Sequence, residues 1–250
     1  VNLHLDGKKV LVTGGSKGIG LAIAKAFKEE GALVGIVGRD GDLLKQVADA
    51  QGFTPFQGDV TEKEDRERIF SGFLKQFGTI DVLVNNAGGS NGSSVMETNI
   101  STFEQAMHLN YISAVHLSQL AGAVMKERGE GSIVQISSIF GRESGGKPTY
   151  NASKAALISF TKSFADEMIS HGVRVNGIAP GSILHETGNW KKRMEQDPEK
   201  IAAFVEQNIP AGRFGTVEEV ADAVVFIASK RASWISGATL NVDGGQSYSF

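Results

Sequence analysis

Cysteine is absent from the 250 residues. That excludes a disulfide scaffold, thiolate metal sites and a cysteine nucleophile. Proline is scarce, 5 against 31 glycines, so glycine does the punctuating between short elements. No apolar run reaches membrane-spanning length, and the segment opening Val1-Asn2-Leu3-His4 has no signal-peptide pattern. Charge of either sign is not in excess: the net value is -3, which argues against a nucleic-acid or anionic-membrane partner. The five histidines (His4, His108, His116, His171 and His185) show no metal-ligand spacing, so no metal is expected and a metal hydrolase is disfavoured. What remains is ordinary globular usage, 41% hydrophobic and 21% charged, which disfavours disorder and coiled coil. A cytoplasmic protein with a sizeable core is expected.

Short apolar runs alternate with helical patterns. Val10-Leu11-Val12 ends in a glycine cluster, and from Gly18 the apolar residues Ile19, Ile23, Ala26 and Phe27 mark one helix face, closed by Gly31. The same alternation predicts strands at 34–37, 53–57, 81–84, 132–136, 173–179 and 239–242. Helices are predicted over 43–50, 62–77, 101–128, 150–171 and 216–228. Nearly continuous apolar strands separated by helices imply parallel strands buried on both faces. The expected fold is α/β: a doubly wound parallel sheet of Rossmann type, three layers, one domain over 1–250. From about 184 to 212 the alternation gives way to a polar stretch holding Trp190, Lys191, Lys192 and Arg193, with a helical piece after Pro198. It reads either as a lid over a site or as a surface excursion.

Thr13-Gly14-Gly15-Ser16-Lys17-Gly18-Ile19-Gly20 lies between the first strand and the first helix. Unpaired amides and the positive dipole end of a helix favour an anion there, and glycine lets a pyrophosphate approach the backbone. The second strand ends Val37-Gly38-Arg39, so glycine stands where an acid would select an unphosphorylated ribose. Arg39 and Lys17 together suit a 2′-phosphate, whereas Asp40 could pair with Arg39 and weaken that clamp. NADP(H) is favoured, with NAD(H) the alternative.

Tyr150 and Lys154 stand four residues apart, on one face of a helix. A free phenol titrates near ~10, and a neighbouring ammonium favours its ionised form. Ser137-Ser138 ends the preceding strand at the carboxyl edge, where a hydroxyl could hold a carbonyl oxygen. Asn110, between Leu109 and Tyr111, reads either as a capped or solvated residue or as a holder of water in a proton relay.

Taken together, the Thr13–Gly20 loop, Asp59-Val60, Asn85-Asn86-Ala87-Gly88, Asn110, Ser138, Tyr150 with Lys154, Pro180-Gly181 and Val242-Asp243-Gly244-Gly245 resemble a short-chain dehydrogenase/reductase. The resemblance covers essentially the whole chain, and it rests on the order and spacing of the set. It implies that Tyr150 is the general acid/base, that Lys154 tunes it and binds the nicotinamide ribose, and that Ser138 orients the substrate oxygen. It further implies that Asn110 holds a water linking Lys154 to solvent. Gly14, Ser16, Lys17, Gly18, Ile19, Gly20 and Arg39 would hold the phosphates. Asp59 and Val60 would contact the adenine, with Asp59 taking its amino group. Asn86, Ala87 and Gly88 would pass beside the adenine ribose, and Pro180, Gly181 and Ile183 would hold the nicotinamide.

The implied activity is NADP(H)-dependent exchange between a ketone or aldehyde and an alcohol. Alternatives are β-ketoacyl carrier-protein reduction, an NAD-dependent sugar or polyol dehydrogenase, an isomerase or lyase using bound nucleotide, and a non-catalytic NADP sensor. Departures bear on the choice. His185 stands where many relatives carry threonine, with Thr187 two residues on. Arg142 and Lys147, in the polar 139–149 loop, suggest an anionic or hydroxylated substrate if they face the site. The places where carrier-protein reductases keep docking cations hold Gly129, beside Arg128, and His171. A homotetramer, or failing that a dimer, is expected from the resemblance, with the helices at about 101–128 and 150–171 as interface and the terminal Phe250 buried in a neighbour.

Overall fold

In the computed structural model, which describes residues 1–249, seven parallel strands run in the order β3-β2-β1-β4-β5-β6-β7. They are β1 Lys9–Thr13, β2 Leu33–Gly38, β3 Thr54–Gln57, β4 Val82–Asn85, β5 Gly131–Ile136, β6 Val173–Pro180 and β7 Thr239–Val242. Helices α1 Gly18–Glu29, α2 Gly41–Gln51 and α9 Val217–Ala228 cover one face. Helices α3 Lys63–Phe77, α5 Ser113–Arg128 and α6 Pro148–Met168 cover the other.

Strand periodicity explains the two layers. Val10 and Val12 join Ile23, Phe27, Val220 and Val224 on one side, while Leu11 between them joins Phe73, Leu117 and Phe164 on the other. Val82 and Val84 against Leu83 repeat the division on β4. The inner stretches of β1, β2 and β4 are therefore buried on both faces and read as continuous apolar runs, whereas the edge strand β3 alternates between half-buried and exposed positions. Local signals end the elements where expected: α2 and α3 stop at Gly52 and Gly78 in left-handed conformation, and a reciprocal capping box of Thr216 and Glu219 starts α9.

Two features differ from the sequence reading. The helix expected over 101–128 is α4 Ile100–Met107 joined to α5 through a π-helical turn, His108–Ile112, with Asn110 inside it. The 184–212 stretch carries two helices rather than one, α7 Asn189–Gln196 and α8 Pro198–Asn208. Asp197 caps α8 by accepting from the Lys200 amide at 3.1 Å. Trp190 packs on Phe204 and Phe214, with ring centroids 4.6 and 5.1 Å away, and so gives this polar stretch its own apolar anchor. The expected burial of Phe250 lies outside the described residues.

The strand order reverses at β1, between β2 and β4, and the crossovers diverge there to opposite faces of the sheet. A crevice opens at the carboxyl ends of these strands, where such sheets bind ligands.

Candidate functional site

The crevice is a cavity of about 530 Å³ running from the start of α1 to Tyr150. Gly14, Ser16, Lys17, Gly18, Ile19 and Gly20 line one end, with Arg39, Asp59 and Val60 beside them. Asn86, Ala87 and Gly88 form the middle, and Ser138, Tyr150, Lys154, Pro180, Gly181 and Ile183 the far end. Of the residues expected to hold the cofactor or carry the reaction, Asn110 alone is not part of the wall.

At the α1 end, Lys17 holds the N-cap position and makes no side-chain cap, nor is there an acid in the first turn. The leading amides therefore face the cavity without a partner side chain and favour an anion. Gly20 lets the loop close on itself: a Cβ there would sit 2.2 Å from the Gly14 carbonyl oxygen. Across the cavity, Thr13 ends β1 with its hydroxyl accepting from the Asn86 and Ala87 amides, each at 3.0 Å. That hydroxyl fixes the path of the chain leaving β4, and Asn86 returns the contact by donating to the Thr13 carbonyl at 3.0 Å.

Arg39 is 72% exposed and lies 3.6 Å from the Asp59 carboxylate. The alternative weighed from the sequence, pairing with Asp40, is corrected: Asp40 instead accepts from the Leu43 amide at 3.1 Å and caps α2. Burial works against ionisation of Asp59, yet hydrogen bonds from the Thr61 amide and hydroxyl, together with Arg39, hold its carboxyl below the usual range. Val60 is held from behind by Arg66, which donates to its carbonyl at 2.7 Å and to His116 at 2.9 Å. No local pattern marks Arg66 for that task.

At the far end, Lys154 is buried and its ammonium donates to the Ile136 carbonyl at 2.7 Å. Burial lowers its pKa to about 8. Tyr150 shares a hydrogen bond with Ser138, and the Lys154 ammonium lies 5.6 Å from its ring centroid. Burial pushes the phenol up, and the Ser138 contact opposes that only in part. The Lys154 ammonium, expected to favour the phenolate, is engaged with the Ile136 carbonyl, and burial of the phenol acts in the opposite sense. Ser137, the alternative hydroxyl, turns to the Lys154 carbonyl at 3.3 Å, leaving Ser138 as the serine at the phenol.

Asn110 lies one layer behind. It is 1% exposed; its amide donates to the Gly89 and Ala106 carbonyls at 2.9 and 3.0 Å, and its oxygen accepts from the Gly89 amide at 3.0 Å. It clamps the chain that leaves β4, so the solvated alternative does not hold.

Arg142 and Lys147 are also corrected. Arg142 donates to the Thr239 carbonyl on β7, and Lys147 is exposed just ahead of α6; neither lines the cavity. The wall includes Thr187 and Trp190 of the segment read as a lid, together with Ser90 and Asn189, which the sequence did not single out because they meet the others only through the fold. His185 lies at the glycine-loop end, with Nδ1 3.2 Å from the Thr187 hydroxyl. Among the described residues no cluster of three or more His, Asp or Glu could hold a metal, and no helix is long and apolar enough to cross a membrane.

Comparison with known proteins places this geometry in context. Residues 14–247 match a family model described as enoyl-(acyl carrier protein) reductase. The chain is 37% identical to the 3-oxoacyl-[acyl-carrier-protein] reductase of Vibrio cholerae, covering 97% of this chain and 98% of that one. It is 34% identical to the enzyme of the same name from Thermotoga maritima, over 97% and 99%. Among solved structures, L-sorbose reductase from Gluconobacter frateurii, complexed with NADPH and L-sorbose, superposes with a TM-score of 0.92 at 32% identity, covering all of both chains. Alike to these proteins along almost its full length in sequence and fold, the chain belongs to the short-chain dehydrogenase/reductase family.

Proposed function

We propose that the protein is an NADP(H)-dependent oxidoreductase interconverting a small ketone or aldehyde and the corresponding alcohol. The observation that carries the reading is a single cavity with an uncapped helix start and Lys17 at one end and Tyr150, Ser138 and Lys154 at the other. Its donors fit a dinucleotide. Lys17 and the α1 amides would hold the pyrophosphate, Arg39 the 2′-phosphate, and Asp59 and Val60 the adenine. Asn86, Ala87 and Gly88 would pass beside the ribose, while Pro180, Gly181 and Ile183 would hold the nicotinamide. That group, when bound, supplies or accepts the hydride.

The protein's own part is proton transfer and positioning. In the reductive direction the Tyr150 hydroxyl donates its proton to the substrate oxygen, and Ser138 donates a hydrogen bond to the same oxygen. A phenol is protonated at neutral pH, as an acid must be before it acts, and burial of Tyr150 favours the same form. Lys154 places positive charge behind the phenol as it becomes anionic, and Asn110 holds the Gly89 strand exit against which the site is built.

The L-sorbose reductase likeness and the polar wall of Ser90, Thr187 and Asn189 support a hydroxylated carbonyl substrate. The curated relatives support a second reading, a β-ketoacyl thioester. Against carrier docking, Arg128 is already engaged with Asp81 at 3.0 Å and with the Ile80 carbonyl at 2.8 Å, and Gly129 is only the α5 cap. The 184–212 segment would act as the lid, and a homotetramer in the cytoplasm completes the reading.

The test is NADPH oxidation with L-sorbose and with a short β-ketoacyl thioester, beside Tyr150→Phe. Turnover with either substrate should fall at least ~100-fold in the variant, the scale of a lost acid/base, with NADPH affinity kept. Wild-type turnover in the variant would refute the assignment.

A further inference from the structure

The residues that follow β7 make their hydrogen bonds to two separate parts of the site. Asp243, the first of them, turns the chain by accepting from the Gly245 amide at 3.0 Å and from the Ser247 amide at 2.8 Å. Gln246 is buried, and its side-chain oxygen accepts from the Ser182 amide at 2.8 Å. Ser182 lies between Gly181 and Ile183, which line the far end of the cavity. One arm of the segment thus reaches the wall assigned above to the nicotinamide.

The other arm ends on a carboxylate. Glu143, in the 139–149 loop, accepts from the Ser247 hydroxyl at 3.1 Å and from the Tyr248 amide at 2.9 Å, both at Oε2. Its backbone is held as well, because the side-chain amide of Asn151 donates to the Glu143 carbonyl at 3.2 Å. Asn151 directly follows Tyr150, and the loop holding Glu143 joins Ser138 to Tyr150. Arg142 ties the same loop to the Thr239 carbonyl on β7. Glu143 is not part of the cavity wall, so it acts on the reaction only through the groups it holds.

We propose that Glu143 is a positioning residue for the reaction: by clamping the segment after β7, it sets the loop between Ser138 and Tyr150 against the Ser182 wall. The inference rests on the oxidoreductase reading above. Hydride and proton must reach the carbon and the oxygen of one carbonyl group, the first from the Ser182 side and the second from Tyr150. An error in the spacing of those two walls raises the barrier and leaves the contacts at the phosphate and adenine end intact. Hydrogen bonds to an ionised acceptor are the strong ones, and here two fall on a single oxygen. Glutamine offers a neutral acceptor at the same place, whereas methionine keeps the length of the side chain and offers no oxygen.

The test compares wild type with Glu143→Gln, Glu143→Met, Ser247→Ala and the double variant Glu143→Met/Ser247→Ala. Three quantities are measured: NADPH affinity, steady-state reduction of L-sorbose and of a short β-ketoacyl thioester, and amide hydrogen exchange over 139–151 and 181–184. Glu143→Met should lower kcat/KM at least about tenfold, chiefly through kcat, the scale of one hydrogen bond to a charged group. Its NADPH Kd should stay within about twofold of wild type, since the phosphate and adenine contacts are untouched. Exchange in the two segments should quicken together. Glu143→Gln should recover most of the rate, and Ser247→Ala should cost nothing further in the Glu143→Met background. Wild-type turnover in Glu143→Met overturns the inference, as does a loss of NADPH affinity in step with the rate. Equal losses in the glutamine and methionine variants overturn it too. If the wild type reduces neither substrate, the activity reading fails by itself, and exchange still decides the clamp: equal rates in wild type and Glu143→Met overturn it.

Discussion

Replacing Thr13 with valine removes one hydroxyl while keeping the side chain's shape, in a position only 2% exposed. That oxygen accepts from the Asn86 and Ala87 amides at 3.0 Å each and donates to the Val84 carbonyl at 3.4 Å. A buried donor stripped of its acceptor costs about 1–3 kcal/mol. Two such amides, half-buried and so able to recover some hydration, give a loss of about 2–4 kcal/mol. Thr13→Ser is the control, since it keeps the hydroxyl and loses only a methyl, at about 1 kcal/mol. Urea denaturation at fixed protein concentration should place the Thr13→Val midpoint on the order of 1 M below wild type. NADPH affinity should fall with it, because Asn86 and Ala87 form the middle of the cavity wall. If the valine and serine variants unfold at the same midpoint, the hydroxyl does not hold the end of β4 and the reasoning fails.

Two further outcomes are expected. Arg39→Ala should weaken NADPH more than NADH in a fluorescence titration, since the Arg39 guanidinium is 72% exposed and lies 3.6 Å from Asp59; equal losses would contradict a 2′-phosphate contact. Lys154 titrates at about 8 in the fold against the ordinary lysine value of 10.5. Between those values the unfolded chain binds more protons, so wild-type stability relative to Lys154→Met should rise from about pH 8 to about 10.5. Parallel urea midpoints for the two proteins across that window would show that Lys154 is not desolvated.

The centre of the sheet was legible because its strands are buried on both faces, and runs such as Val10-Leu11-Val12 carry that requirement without reference to neighbours. The glycine loop was legible for the same local reason. Asp40 was open to a local reading too, since it stands three residues before the amide it caps, yet its nearness to Arg39 suggested a different partner. Other contacts depended on the fold. Arg142 finds the Thr239 carbonyl 97 residues away, and His185 meets Gly18 across most of the chain. Lys154 illustrates a different limit. Its spacing from Tyr150 was plain, but whether charge or desolvation governs the phenol depends on burial and on the Ile136 carbonyl, which spacing does not encode.

The π turn at His108–Ile112 sets the phase of everything that follows it. Each residue of an α-helix advances the winding by about 100°, so the residue it accommodates rotates α5 relative to α4 by roughly that amount. The two halves thereby answer to different neighbours: α4 packs on α6, while α5 turns Leu117, Ala121 and Met125 into the core beneath the sheet. Deleting any one of these five residues would restore regular winding and force a choice between them. Either the apolar stripe of α5 would swing out of the core, or α4 would leave α6 and Asn110 would lose its grip on Gly89. Along this stretch it is the number of residues, more than their kinds, that keeps core and site in register.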